Sequence, residues 1–189
     1  MEPCSEESGE TPVSAEAAAE REVRDDVTFL AREFLTWLVF LAETAGGEFA
    51  GDDAVPAFTI AFAGRVTLRT PAGLVTDMTL KGPSPVGSAD LRYALAGGLA
   101  VKEAELRLEQ GERLYTFGLA AEHFDLKRVK LPALLDEDAD DPSFERVALL
   151  TRLDDALRFA FERFLVVRTA PAWGAEVVPA IRAWLSEGT

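Results

Sequence analysis

The alternation of apolar with small or polar residues over positions 58–69 constrains this chain more than any other feature. The apolar positions are Phe58, Ile60, Phe62, Val66 and Leu68. A period of two predicts a strand with one buried face. The sequence Thr-Pro-Ala-Gly at 70–73 is typical of a turn, and residues 74–81 continue as a second strand. We therefore predict a β-hairpin in the first half of the chain.

Helical spacing flanks this hairpin on both sides. Apolar residues recur at helical intervals over 23–44, and a Gly-Gly pair at 46–47 ends the segment. This first helix is apolar on more than one face, which predicts deep burial or a partner. After the hairpin, Ser88 is a candidate N-cap for a short helix over 89–96.

A second hairpin and two helices complete the pattern. Strands over 99–108 and 113–121 flank a loop at 109–112, and a long helix follows from Pro142 to about residue 167. The apolar stripe of that helix comprises Phe144, Val147, Leu150, Leu153, Leu157, Phe161, Phe164 and Leu165. A last helix covers 177–185. This order predicts an α+β fold: an antiparallel four-stranded sheet from two hairpins, a short helix between them, and longer helices on one side.

Negative charge is concentrated in two segments. The chain has 33 acids and 19 bases, a formal charge of −14. Residues 1–26 hold nine acids and two bases, and residues 136–141 hold five acids, so the remaining body is nearly neutral. The first 20 residues contain almost no large apolar side chains to offset the entropy of ordering them. We predict a disordered acidic tail over 1–21 and a single domain over 22–189.

No catalytic or metal-binding constellation is recognisable in the sequence. No Ser or Cys lies in a nucleophile-elbow context, so the sequence offers no nucleophile for its single histidine, His123, to activate. One cysteine, Cys4, excludes an internal disulfide and a metal site built from Cys and His. The acidic run 136–141 lacks the glycine and the final acidic ligand of a calcium loop. We predict a non-enzymatic protein with no metal and no cofactor.

The sequence also bears on location. No apolar run is long enough to span a bilayer. The first residues lack the basic and apolar regions of a signal peptide. We therefore expect a cytoplasmic protein without a membrane partner.

Basic residues form two candidate patches that can contact phosphate. Arg65 and Arg69 alternate with Thr67 on the polar face of the first strand, and a basic cluster at 127–130 follows the second hairpin. Lys81 begins a loop that joins a strand to the short helix. The candidate phosphate-binding residues are Arg65, Arg69, Lys81, Lys127, Arg128 and Lys130. The alternative is an ordinary solvated sheet face, where such charges are common.

Four groups of short strings carry a family resemblance. They are Phe-Leu-Thr-Trp-Leu at 34–38, Ala-Gly-Leu-Val at 72–75, Ala-Gly-Gly-Leu-Ala-Val-Lys at 96–102 with Ala-Glu-Leu at 104–106, and Leu-Lys-Arg-Val-Lys-Leu at 126–131. In this order and spacing, over about residues 29 to 168, the chain resembles the C-terminal half of the recombination-associated protein RdgC family.

The resemblance implies a DNA-associated function. RdgC-family proteins bind DNA without strong sequence preference, dimerise into a ring around the duplex, and restrain RecA-driven strand exchange. The basic residues of 127–130 and the strand 74–81 with its loop match the family positions. The chain departs from the family in three ways: the N-terminal half is absent, Thr76, Asp77 and Thr79 stand where basic or amide residues are expected, and the charge is strongly acidic.

Two functions therefore stay open. The first is sequence-independent binding of DNA phosphates through the six basic residues, which implies a nucleoid-associated protein. The second is a protein-interaction or dimerisation module that kept the fold and lost DNA binding, with the apolar helix 29–42 forming a homodimer or docking a partner.

Overall fold

A computed structural model of the chain describes residues 32–70, 77–121, 123–134 and 143–187. The helical elements are α1 (32–45), a 3₁₀ turn (Pro85–Gly87), α2 (Ala89–Ala96), α3 (Ser143–Thr169), a π turn (Trp173–Val177) and α4 (Val178–Ser186). The strands are β1 (Glu48–Phe49), β2 (Phe58–Arg69), β3 (Asp77–Lys81), β4 (Ala100–Gln110), β5 (Arg113–Ala120) and β6 (Asp125–Lys130). The predicted acidic tail 1–21 and the acidic segment 136–141 lie outside the described residues.

The strands form one six-stranded sheet in the order β1-β2-β4-β5-β6, with β3 also paired to β2. Every pairing among these strands is antiparallel. The α+β class is confirmed, whereas the predicted count of four strands is too low. The hydrophobic periodicity did not predict the two extra strands, because β1 has only two residues and β6 is exposed and irregular.

The core lies between one face of the sheet and the helices. Helix α1 occupies its centre, where the ring of Phe34 contacts the rings of Phe161 and Phe164 on α3 at 5.4 and 5.6 Å. On other sides of α1, the Trp37 ring lies 6.3 Å from that of Phe49, and the Phe40 ring lies 5.7 Å from that of Trp184. Burial on several sides explains why this helix is apolar on more than one face.

Helix α3 corrects part of the predicted apolar stripe. Leu153, Leu157 and Phe164 are buried as expected, but Phe144 and Val147 are 80% and 60% exposed. Leu150 is exposed as well. The predicted stripe advanced in steps of three residues, and nine residues at 3.6 per turn leave Phe144 about half a turn from Leu153. The buried stripe instead runs through Leu149, Leu153, Ala156, Leu157, Phe159, Ala160 and Phe164.

Local signals set the ends of two other elements. The side chain of Ser88 accepts a hydrogen bond from the backbone N–H of Leu91, so the predicted N-cap of α2 is confirmed. The β4–β5 turn is shorter than the predicted loop 109–112, because strand pairing extends to Gln110 and Arg113. Gly111 allows this tight turn because its φ is +60°.

No single helix among the described residues has the length and apolar composition needed to cross a bilayer. The bent pair Ser143–Thr169 and Trp173–Ser186, which meet at 89°, passes that test only jointly and only by length and composition.

Candidate nucleic-acid interface

The charged residues of the sheet lie on the face turned away from the core, called here the outer face. On β2 half-buried residues lie between the buried ones, three of them in succession over 63–65, and Arg65, Thr67 and Arg69 belong to the half-buried set. This is the polar face that the alternation predicts. Two irregularities in neighbouring strands then add further charges to it.

The first irregularity lies in β4 and places two consecutive charged residues on the outer face. Thr67 pairs with Glu103 and the next residue of β2 pairs with Val101, so Lys102 is an extra residue in the ladder. Val101 and Ala104 are both buried, and the two residues between them are not. A bulge of this kind turns two neighbours toward the same face.

The second irregularity lies in β6 and does the same for Lys127 and Arg128. Lys130 pairs with Thr116 and Lys127 pairs with Gly118, so two residues of β6 oppose one residue of β5. Arg128 has a φ of +51°, an uncommon left-handed conformation for a side chain with a Cβ. In a regular strand residues 127 and 128 would point to opposite faces; here both reach the outer face.

Three of the predicted cations form ion pairs with Glu103. Its carboxylate accepts from Arg65 Nη2 at 2.9 Å, from Lys127 Nζ at 3.1 Å and from Arg128 Nη2 at 2.7 Å. The Glu103 side chain is only 17% exposed. Partial burial acts to raise the pKa of its carboxyl, but hydrogen bonds from Lys127 and Arg128, and their charges, outweigh burial and hold that pKa below its usual value.

Gly118 makes this convergence possible. It is buried in β5, between the strand that carries Glu103 and the strand that carries the two cations. A Cβ at this position would lie 3.1 Å from Nη2 of Arg128 and 3.4 Å from Cβ of Lys127. The missing side chain therefore leaves room for Arg128 to cross β5 toward Glu103.

A groove of about 350 Å³ lies beside this cluster. We call it the outer groove. Its lining residues are Gly64, Arg65, Lys81, Glu105, Thr116, Phe117, Gly118, Arg128 and Lys130. Four cations and one carboxylate thus border a single concave surface on a chain whose formal charge is −14. A local excess of positive charge of this kind attracts phosphate despite the overall field.

Lys81 and Lys130 stand at opposite sides of the outer groove. Within the described residues, neither makes an ion pair or a side-chain hydrogen bond. Lys81 pairs with Arg65 in the sheet, and the following residue, Gly82, donates its backbone N–H to Gly64 O at 2.9 Å. This backbone hydrogen bond holds the start of the loop that follows β3 against β2.

Arg69 is not part of this cluster. It donates to Asp77 at 3.1 Å, and Lys102 donates to the same carboxylate at 2.8 Å. The hydrogen bonds from Lys102 and then Arg69 hold the pKa of Asp77 below its usual value. Of the six predicted basic residues, four line the outer groove, Lys127 adjoins it through Glu103, and Arg69 lies in this separate pair of ion bridges.

The sequence argument missed Glu103, Glu105 and Gly118. One signal was available for the first of them: the apolar alternation of β4 breaks between Val101 and Ala104, which marks a bulge. The role of Gly118 has no counterpart in the pattern, because it depends on a side chain that crosses from another strand.

The cations of the outer groove are of the residue types that can bind anions. Lysine and arginine supply charge and hydrogen-bond donors to phosphate oxygens. Within the described ranges, no three side chains of His, Cys, Asp or Glu are grouped closely enough to hold a metal ion. His123 lies between β5 and β6 and does not line the groove.

Comparison with known proteins adds no relative to this picture. No protein-family model matches the chain, and a search of curated proteins found no significant match. The resemblance to the RdgC family therefore depends on the short strings given above.

Proposed function

We propose that this chain is an RdgC-like, non-enzymatic, DNA-associated protein that binds the phosphate backbone without sequence preference through the outer groove. The observation that carries the proposal is the convergence of Arg65, Lys127 and Arg128 on Glu103, beside Lys81 and Lys130, which make no ion pair with any described residue. Five cations from three strands meet two carboxylates there. Lys81 and Lys130 take no part in the ion pairs of the described residues, so both can contact phosphate without breaking one.

The extent of the groove supports a backbone contact. It reaches from β3 to β6 across four strand spacings, and strands lie about 4.8 Å apart, so it spans roughly 19 Å. A turn of duplex is about 34 Å long, so the groove covers roughly half a turn. Lysine and arginine side chains that contact phosphates do not contact base edges. Such contacts position DNA without selecting its sequence.

Glu103 limits the affinity of the groove. An arriving phosphate must compete with its carboxylate for three of the cations. The second carboxylate, Glu105, repels the phosphate directly. Together with the near-neutral body, this competition gives weak binding, roughly micromolar near physiological salt.

A charge-reversal pair tests the proposal. The double variant Lys127→Glu with Arg128→Glu should weaken binding to several unrelated duplexes by the same factor, measured by fluorescence anisotropy at low salt. Arg158→Glu is the matched control, because Arg158 is an exposed residue of α3 paired with Asp154 at 2.8 Å and distant from the groove residues in sequence and fold. Equal affinities for the double variant and the control would reject the groove as the binding site. Loss that depends on DNA sequence would indicate base readout instead.

The link to recombination comes from the family resemblance. If it holds, the protein slows RecA-driven strand exchange in a reconstituted reaction, and the double variant does so less. An unchanged rate of exchange at protein concentrations that saturate the DNA would remove recombination from the proposal while leaving DNA binding intact.

One observation favours the second function, a dimerisation module. Phe144, Val147 and Leu150 are exposed on one end of α3. The apolar residues of α1 between 32 and 42 are buried or partly buried within the chain itself, so a homodimer would use the start of α3 in place of the expected helix 29–42. Phe144→Ser with Val147→Ser should then convert a dimer to a monomer in sedimentation equilibrium. A wild-type monomer would remove this function.

A further inference from the structure

A second cluster of polar groups lies at the far end of the β4–β5 hairpin, on the core side of the sheet. Gln110 and Arg113 form the last pair of the hairpin. Gln110 is buried, and its Nε2 donates to Pro56 O at 3.1 Å. A cavity of about 270 Å³ opens there, and Arg152 and Asp155 of α3 also line it. We call it the hairpin cavity.

A buried hydroxyl lies on the same strand as Arg113. Tyr115 is two residues from Arg113 on the same face of β5, and its side chain has no exposed surface. Its Oη is buried and has no hydrogen-bond partner among the described residues. Burial raises the pKa of Tyr115, and the charges of Arg113 and Arg152 partly oppose that rise, so both guanidinium groups lie within electrostatic reach of the hydroxyl. Buried hydroxyl groups without a partner are uncommon in folded proteins.

The two arginines of the hairpin cavity also lack a polar partner among the described residues. Within the described residues, neither Arg113 nor Arg152 makes a side-chain hydrogen bond or an ion pair. This holds although Asp155 lines the same cavity. Glu112 and Glu145 line a neighbouring cavity that shares Pro56, Gln110 and Arg113 with it. Two arginines that line one concave space can together hold a planar anion, because each guanidinium group presents paired N–H donors.

We propose that the hairpin cavity binds a small carboxylic acid, with the carboxylate between Arg113 and Arg152. Asp155 disfavours a doubly charged anion such as phosphate, because like charges repel at close range. The same side chain accepts a hydrogen bond from a hydroxyl or ammonium group next to the ligand carboxylate. The ligand class is therefore a small hydroxy acid or amino acid. This site is separate from the outer groove, since the two lie on opposite faces of the hairpin.

Titrations of the full-length chain test the site with lactate, glycine, acetate and inorganic phosphate as probes. Lactate or glycine should raise the melting temperature in a saturable manner, acetate less, and phosphate least. Arg113→Gln and Arg152→Gln should each weaken lactate or glycine binding about tenfold to a hundredfold, as expected for the loss of a charged hydrogen bond. Asp155→Asn should reduce the preference for lactate and glycine over phosphate.

The controls separate a site from a general effect of anions. Arg158→Gln removes one positive charge from an exposed position on the same helix and should leave the binding unchanged. Tyr115→Phe should not destabilise the free protein, because the hydroxyl it removes has no hydrogen-bond partner among the described residues. The proposal is overturned if no probe gives a saturable shift at millimolar concentration, or if Arg113→Gln and Arg152→Gln bind like Arg158→Gln.

Discussion

The two faces of the β4–β5 hairpin are stabilised by different interactions. On the inner face Leu106, Phe117 and Leu119 have no exposed surface, and the helices cover them. On the outer face Glu103 and Gly118 organise cations that remain partly exposed. Apolar burial on the inner face supplies most of the stability, since it removes large areas from water. The ion pairs of the outer face are partly exposed and contribute less to folding.

The largest effect on stability should come from a substitution in the apolar core between the sheet and the helices. Leu157 of α3 is 3% exposed, so Leu157→Ala should lower the free energy of unfolding by about 2–5 kcal/mol. Phe144→Ala on the same helix is the matched control, and it should change stability by less than about 0.5 kcal/mol because Phe144 is largely exposed. Urea unfolding followed by circular dichroism gives both values. Similar costs for the two variants would mean that α3 buries a different face.

Glu103→Gln should have effects of opposite sign on stability and binding. Loss of the carboxylate weakens three partly exposed ion pairs, which costs about 1 kcal/mol of stability. It also releases the three cations to phosphate, so affinity for duplex DNA should rise about fivefold, the equivalent of one charge interaction near 4 Å in water. Glu109→Gln, which loses an exposed pair with Arg107 on the same strand, is the control. Binding that weakens in Glu103→Gln would show that the carboxylate orders the cations and does not compete for them.

Acid should remove the stability that Glu103 provides. Its pKa is lower in the folded protein than in the unfolded chain, so the unfolded chain binds more protons as the pH falls below about 4.5. The contribution is complete above that range and disappears as the pH drops through the folded pKa. Wild type and Glu103→Gln should therefore differ in urea midpoint at pH 7 and converge as the pH falls through the lowered folded pKa of Glu103. A difference that stays constant with pH would assign the loss to packing.

Sequence predicted the inner face far better than the outer one. Alternation in β2, the N-cap at Ser88 and the burial of Leu157 each follow from a local pattern, and the structure has all three. The outer groove depends on bulges near residues 102 and 128, which reverse the side of every following residue. Strand pairing between distant segments creates those bulges. A pattern within one segment identifies the cations but not the carboxylate that joins them.

The acidic N-terminal segment should have the smallest effect on folding. Removal of residues 1–20 should leave the melting temperature nearly unchanged, because few large apolar side chains are lost. Removal of residues 1–26, which carry nine acids and two bases, should strengthen DNA binding by reducing repulsion. Calorimetry and anisotropy measure the two effects. A fall of several degrees in melting temperature would place this segment against the folded body, and unchanged affinity would mean that its charge does not act on the groove.

The salt dependence of DNA binding tests the central claim most directly. Each phosphate contact contributes a slope of roughly −0.9 to log K against log salt, so the four cations that line the groove and the adjoining Lys127 give at most about −4.5. Lys81→Gln with Lys130→Gln removes two unpaired cations without breaking an ion pair in the described chain. We expect its slope to be smaller in magnitude than that of wild type by about 1.8. A wild-type slope near zero at low ionic strength, or an unchanged slope in the double variant, would contradict phosphate binding by the outer groove.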